Sequence, residues 1–301
     1  MTAPQATSVE CNARTHVLRD VSDGVSWELW LRSPTAEQRG LLAGLWAGDA
    51  DSDYARHRLI PSGEQWLMFN LGPPQKVLDA EGAGPAGLYR GGMIAGLQNR
   101  PLTFESVFRH PRVVTARLLP PGALALFGGL PLLDLANRVI DLESVLGTRS
   151  GVERLRQRLM EAADLGMAMD LVEDWLTTRF RAGPKLHPVT RIALHSVWQQ
   201  RGAVRVEALA RDLGVSARYL NALFQRQVGV SAKSLVRILR FERALDVLDR
   251  IGPRDLVQLA HDCGYYDQSH LNRDFRELAG LTPTEYVERV FIGPGWREIG
   301  G

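Results

Sequence analysis

At 301 residues, 45% hydrophobic and 23% charged, the chain is long enough for two domains and ordinary in composition for a globular protein. A net charge of +2 excludes a strongly basic coat, and two cysteines exclude a disulfide framework or a cysteine-built zinc site. There is no run of about 18 apolar residues, which excludes a membrane-spanning helix.

The N-terminal MTAPQATSVECNART lacks a basic start followed by an apolar segment, so it reads as a disordered tail over residues 1–15 rather than a secretory signal, and a cytoplasmic protein is expected. Residues 16–127 read as β-rich. Trp27, Leu29 and Leu31 alternate with more polar positions, and QWLMFNLG (Gln65–Gly72), VVTARLLP (Val113–Pro120) and ALALF (Ala123–Phe127) are short apolar runs bounded by Gly and Pro. Many short strands predict a small antiparallel barrel or sandwich. The interior of such a domain holds a small organic effector well, and Trp27, Trp46, Trp66 and Phe69, with Trp30, are the candidates to line it; the alternative is that they are core aromatics. Arg56, His57 and Arg58 predict a solvated edge strand, with anion selection as the alternative. GGMIAG (Gly91–Gly96) predicts a bulged strand or turn.

Chemistry is not expected in this half. His57 and His110 lie far apart, His16 is beside the tail, and no H-x-H pair exists, so no metal site is predicted. No G-x-S-x-G, Walker loop or G-x-G-x-x-G is present, so neither a nucleophile elbow nor a cofactor is predicted, and the chain is not expected to be an enzyme. From residue 128 to 182 the apolar spacing turns helical: along Leu132–Val139, then at Val152, Leu155 and Leu159, then at Leu171, Val172, Trp175 and Leu176. These helices either cover the β domain or form a homodimer interface. RAGPKLHP (Arg181–Pro188) reads as a linker, with the domain boundary at 183.

Residues 183–291 are predicted all-α and built on a repeat. Ala210 and Gly214 recur as Ala260 and Gly264; Leu220, Phe224 and Gly229 recur one residue further along, as Leu271, Phe275 and Gly280. Each copy (206–227 and 256–278) reads helix, Gly-containing turn, helix. In the first, Val206, Leu209, Ala210 and Leu213 form the inner stripe, Gly214 the turn, and Ser216 caps the second helix. In the second, Leu256, Leu259, Ala260 and Cys263 form the stripe, Gly264 the turn, and Asp267 the cap; Cys263 is expected to be a packed thiol. Outward positions are Ser216, Ala217, Arg218, Asn221, Ala222 and Gln225 in the first copy, and Gln268, Ser269, His270, Asn272 and Arg273 in the second. Asn and Gln suit adenine and Arg suits guanine in a major groove. Ala232–Arg250 reads as one stiff helix that spaces the copies. Pro184–Phe291 carries 16 Lys+Arg against 12 Asp+Glu, and the remainder 20 against 22, so the positive excess lies with the repeat.

LAHDCGYYDQSHLNRDFRELAGLTPTEY resembles the signature of AraC/XylS-type transcriptional regulators at Ala260, Cys263, Gly264, Tyr265, Ser269, Leu271, Arg273, Phe275, Arg276, Gly280, Thr282, Pro283 and Tyr286. Arg240 and Ala244 in the connecting helix also fit. The chain departs at Ala232, where the family often has Pro, and at Leu235, where it often has Tyr. The resemblance implies that outward residues of both recognition helices contact double-stranded promoter DNA, that RNA polymerase is a partner if the protein activates, and that the N-terminal part is a cupin-like barrel that senses an effector or dimerises. The expected whole is an α+β multidomain protein. The alternatives are a cupin-like enzyme tethered to DNA, and a regulator whose N-terminal domain only dimerises.

Overall fold

A computed structural model describes residues 7–22, 25–50, 56–78, 85–106, 112–252, 255–293 and 296–300. Short alternating strands open the chain: β1 (Thr7–Asn12), β2 (Thr15–Ser22), β3 (Val25–Arg32), β4 (Leu42–Ala50), β5 (Arg56–Leu59), β6 (Gln65–Asn70), β7 (Gln75–Leu78), β8 (Pro85–Tyr89), β9 (Gly92–Ala95), β10 (Leu102–Ser106) and β11 (Arg112–Leu118). Helix α1 (Pro120–Phe127) and a 3-10 turn (Leu132–Leu135) follow, then β12 (Val139–Asp141), α2 (Leu142–Leu146), α3 (Val152–Met160) and α4 (Leu165–Ala182). The C-terminal part holds α5 (Pro188–Gln199), α6 (Val206–Asp212), α7 (Ala217–Gln227), α8 (Ala232–Ile251), α9 (Leu256–Asp262), α10 (Gln268–Ala279) and α11 (Pro283–Arg289), closed by β13 (Val290–Gly293) and β14 (Trp296–Gly300).

The strands form two open antiparallel sheets, ordered β1-β2-β3-β4-β11-β6-β9-β12 and β13-β14-β5-β10-β7-β8. Of the expected barrel or sandwich, the two-sheet packing matches the sandwich: among the described residues neither strand order closes on itself. Side-chain alternation gives the large sheet two apolar faces. Leu45, Ala47, Leu67, Phe69, Val114 and Ala116 pack beneath α1, α3 and α4, in one core with Leu155, Leu159, Val172 and Leu176. On the opposite face, Trp66, Met93 and Ala95 meet Val77, Leu102 and Phe104 of the small sheet, with Trp46 and Met68 packed against them. The helices thus cover the β domain, one of the two readings open from the sequence.

An ion cluster fixes α4 to β3. Arg32, almost wholly buried, bonds Asp170 and Glu173, the latter at 3.2 Å, and donates to Thr15 Oγ1 at 3.2 Å. Arg14 donates to the same Glu173 at 2.7 Å.

Four local expectations change. Residues 7–12, read as tail, form β1 and pair with β2, because an alternating segment can satisfy its backbone groups on that neighbour. ALALF is not a strand but most of α1: it follows two prolines suited to a helix start and is buried nearly all round, which erases the period that separates helix from strand. Leu132–Val139 holds only a 3-10 turn before the backbone extends at Ala136 and pairs with β9 from Val139. The Arg56–Leu59 segment is no edge: β10 and β14 flank it on both sides. The anion-selecting reading of Arg56, His57 and Arg58 rests on side chains outside the described residues, as does any role for His110. GGMIAG supplies β9, an inner strand.

The linker is packed rather than free. A Cβ at Gly183 would stand 2.1 Å from the Ala125 carbonyl oxygen, and one at Gly128 would stand 2.1 Å from Pro184. The two halves also share core: Leu97 lies with Val197, Phe224 and Leu235, and Ile60 lies with Phe241 and Phe275. At the close of the chain, β14 pairs with β5, so the C-terminal hairpin extends a sheet of the N-terminal half.

Candidate nucleic-acid interface

Each helix pair is built the same way. The first starts on α6, whose Val206, Leu209 and Ala210 are buried. Gly214 then adopts φ +68° with open space about it, a conformation that favours glycine over any residue with a Cβ. Ser216 caps α7 by accepting the Tyr219 N–H at 3.1 Å, and Leu220 and Phe224 are fully buried. In the second copy Leu259 and Ala260 are buried on α9, Gly264 has φ +79°, Asp267 caps α10 by accepting the His270 N–H at 2.7 Å, and Leu271 and Phe275 are buried. The connecting α8 is 20 residues long.

The outward residues divide by exposure. Ser216, Arg218, Ala222 and Gln225 are exposed on α7, and Ala217 and Asn221 are half-buried. On the second copy Ser269 and Arg273 are exposed, and Gln268, His270 and Asn272 half-buried. Local bonds occupy several of them. The Ser216 hydroxyl is the cap just described. Asn221 Oδ1 accepts the Ala232 N–H at 3.2 Å, tying α7 to the start of α8. At the register-equivalent place α11 begins with Pro283, which has no N–H, and Asn272 Oδ1 is buried without a partner among the described residues. The His270 ring meets Tyr265 edge-on at 5.1 Å. The copies also differ in charge placement: Arg218 stands where the second copy has Ser269, and Arg273 where the first has Ala222.

A polar cluster behind α10 sets its position. Arg237 of α8 donates to Asp274 at 2.7 Å and bonds Glu277, and Asp274 is buried. The Arg240 guanidinium lies 5.6 Å from the Tyr265 ring, and burial pushes the Tyr265 hydroxyl far above its ordinary range. Tyr266 beside the Asp267 cap is 93% exposed, and Tyr219 on α7 is 45% exposed. Sequence reasoning passed over both; the signal was an aromatic next to a cap and off the inner stripe.

Cys263 is buried as expected, and burial raises its thiol pKa. The unfolded chain then releases this proton first, so this contribution to stability is present below the free thiol's pKa and is lost as pH rises through the folded value. We predict that a thiol reagent at pH 8 modifies Cys263 slowly in the native protein and rapidly in denaturant; equal rates would contradict its burial.

Of the expected effector residues, Trp46 and Trp66 share the face toward the small sheet and meet edge-to-face at 6.4 Å. Trp27 lies on that same face of β3 by register, since its strand-mate Leu31 pairs with Trp46. Phe69 points the other way, against Trp175 of α4 at 6.0 Å, so the structure does not bring it to the others. Trp30 also lies on the helix side. Among the described residues no group of three or more His, Cys, Asp and Glu could hold a metal, and no helix is long and apolar enough to cross a membrane.

Residues 209–289 match a family described as a helix-turn-helix domain. The chain is 28% identical over 153 residues to the HTH-type transcriptional activator RhaR of Pectobacterium carotovorum, covering 47% of this chain and 53% of that protein. It is 36% identical over 76 residues to the invasion protein InvF of Salmonella typhi, covering 25% and 34%. The chain thus spans about half, or less, of the curated relatives it matches. Among solved structures it is similar to ToxT from Vibrio cholerae, with a TM-score of 0.45 and 12% identity over 79% of this chain and 95% of that one.

Proposed function

We propose that the AraC-type helix-turn-helix domain at residues 209–289 makes this chain a sequence-specific DNA-binding transcriptional regulator. The observation that carries this reading is the pair of capped helices, α7 and α10, held in register-related frames by one continuous connecting helix. At about 1.5 Å per residue, α8 is about 30 Å long, close to the roughly 34 Å between successive major grooves on one face of DNA. Residues 183–291 form the DNA-binding unit in this reading, 16–127 the sensor, and 128–182 its helical cover. Promoter DNA is the partner, with RNA polymerase engaged if the protein activates. A small molecule bound in the N-terminal half shifts the balance between DNA-competent and incompetent arrangements through the packed linker and the shared core. No step in this function requires catalysis, and a cytoplasmic location fits it.

Arg273 supplies the test. It is exposed on α10 and its counterpart in α7 is an alanine, so the second copy depends on it alone at that place. Arg273→Ala is expected to weaken binding to the selected site by about 1–3 kcal/mol and to relax base preference at one position, measured by fluorescence anisotropy at fixed salt. An equal loss on random DNA with a shallower salt dependence would instead make Arg273 a phosphate contact.

A further inference from the structure

Two buried hydrogen-bond donors on directly paired residues face the seam between the sheets with no partner among the described residues. Thr115 of β11 is fully buried and pairs directly with Trp46 of β4. Among the described residues neither Thr115 Oγ1 nor Trp46 Nε1 has a hydrogen-bond partner. Their direction follows from alternation: Val114 and Ala116 belong to the core under the helices, so Thr115 points the other way, toward the small sheet. Trp46 packs there with Trp66, Met68, Met93 and Phe104. Directly paired side chains have Cβ atoms about 5 Å apart, which puts both donors in the same stretch of the seam, and a carbonyl oxygen has two lone pairs with which to accept from them. Gly48, two residues along β4 on the same face, leaves room for the Trp46 ring; a Cβ there would stand 3.4 Å from it.

Buried donors are nearly always satisfied by protein, water or ligand. The walls around this pair are indole, thioether and phenyl groups, a lining typical of small-molecule sites. The charged neighbour on the same face of β11 is Arg117, and it is paired with Glu64 at 3.0 Å. Among the described residues on this face of β11, a carboxylate brought to the two donors would find no unpaired cation, and burying an uncompensated charge is costly.

We propose that the seam between the sheets at Trp46 and Thr115 binds a small, uncharged, mainly apolar molecule through one carbonyl oxygen, as in a ketone, ester or amide. This rests on the reading of the N-terminal half as a sensor. The carbonyl accepts from both donors while its apolar frame lies against Trp46, Trp66 and the two methionines.

Isosteric pairs test it on the full chain: benzylideneacetone and cinnamamide against cinnamate, and 2-octanone against heptanoate. Tryptophan fluorescence and melting temperature are the readouts. The neutral carbonyl compounds are expected to bind and raise the melting temperature, and the carboxylates to bind at least tenfold more weakly. Thr115→Val keeps the shape and removes one donor. It is expected to leave the unliganded melting temperature unchanged or raised, and to weaken the best carbonyl probe at least tenfold; Trp46→Phe should weaken it similarly. Failure of every carbonyl probe to bind at millimolar concentration overturns the site, as does equal binding by Thr115→Val or equal binding of the carboxylates. A drop in unliganded melting temperature in Thr115→Val also overturns it, because that donor would then already be serving the fold through a buried water. DNA binding is measured on the same samples. Intact DNA binding beside a failed ligand test removes this site alone, whereas absent DNA binding strikes the regulator reading beneath it.

Discussion

Replacing Phe275 by alanine is expected to destabilise the C-terminal half by about 3–5 kcal/mol, the usual cost of deleting a buried phenyl ring. Phe275 is 0% exposed. It meets Phe241 of the connecting helix at 4.9 Å and Tyr286 of α11 at 5.9 Å, both edge-on, and so joins three helices at one point. The cavity cannot close cheaply, because Arg237 and Asp274 hold α10 to α8 beside it. Loss of the ring therefore frees α10 from its frame. Urea unfolding monitored by circular dichroism should show the loss of stability, and specific DNA binding should disappear with it. Phe224→Ala, the register-equivalent change, should have a comparable effect on the first helix pair. A cost below about 1 kcal/mol for Phe275→Ala would mean that the second copy is not packed as described.

Arg32→Ala is expected to cost about 3 kcal/mol or more in the N-terminal half. Removing one member of a buried ion cluster leaves the others with less compensation than the fold was built around. Arg32 is almost wholly buried, and its loss leaves Glu173, itself buried, with Arg14 as the partner from the N-terminal strands. It also removes an ion-pair tie between α4 and β3. Arg32→Met, which fills the volume but carries no charge, should lose less through packing and still take one of its two cations from Glu173. Melting followed by tryptophan fluorescence reads this, because Trp30 and Trp175 lie in the core that α4 completes. If both variants melt with the parent, the cluster is a surface-like pair of little worth.

The C-terminal half was the more legible one because its signals are local. Ser216 and Asp267 were expected as caps and accept the N–H groups three residues on. Gly214 and Gly264 were expected at the turns and have positive φ. A stripe at helical spacing, a cap and a glycine each report on a few neighbouring residues. Non-local pairings were out of reach. Nothing in TSVECN says which strand it will join, and nothing in WREIG says that it returns to β5. The period was silent in ALALF, since a segment buried all round has no polar face to mark its turn. Phe69 fell on the wrong side of its sheet because QWLMFNLG is apolar on both faces, and only register with β11 decides which face meets the helices. The packing of the linker was out of reach for a related reason: Gly183 and Pro184 mark a break in helix, and whether that break is free or wedged against α1 depends on a surface 55 or more residues away.

The central claim is that two recognition helices on one stiff connector read DNA together. The most direct measurement is selection of the full-length protein on a random DNA library, followed by the same selection with Arg273→Ala. The account predicts a site of two short elements with centres about 10–10.5 base pairs apart, and loss of preference in only one of them for the variant. No enriched sequence, or one element that Arg273→Ala leaves unchanged, would contradict it.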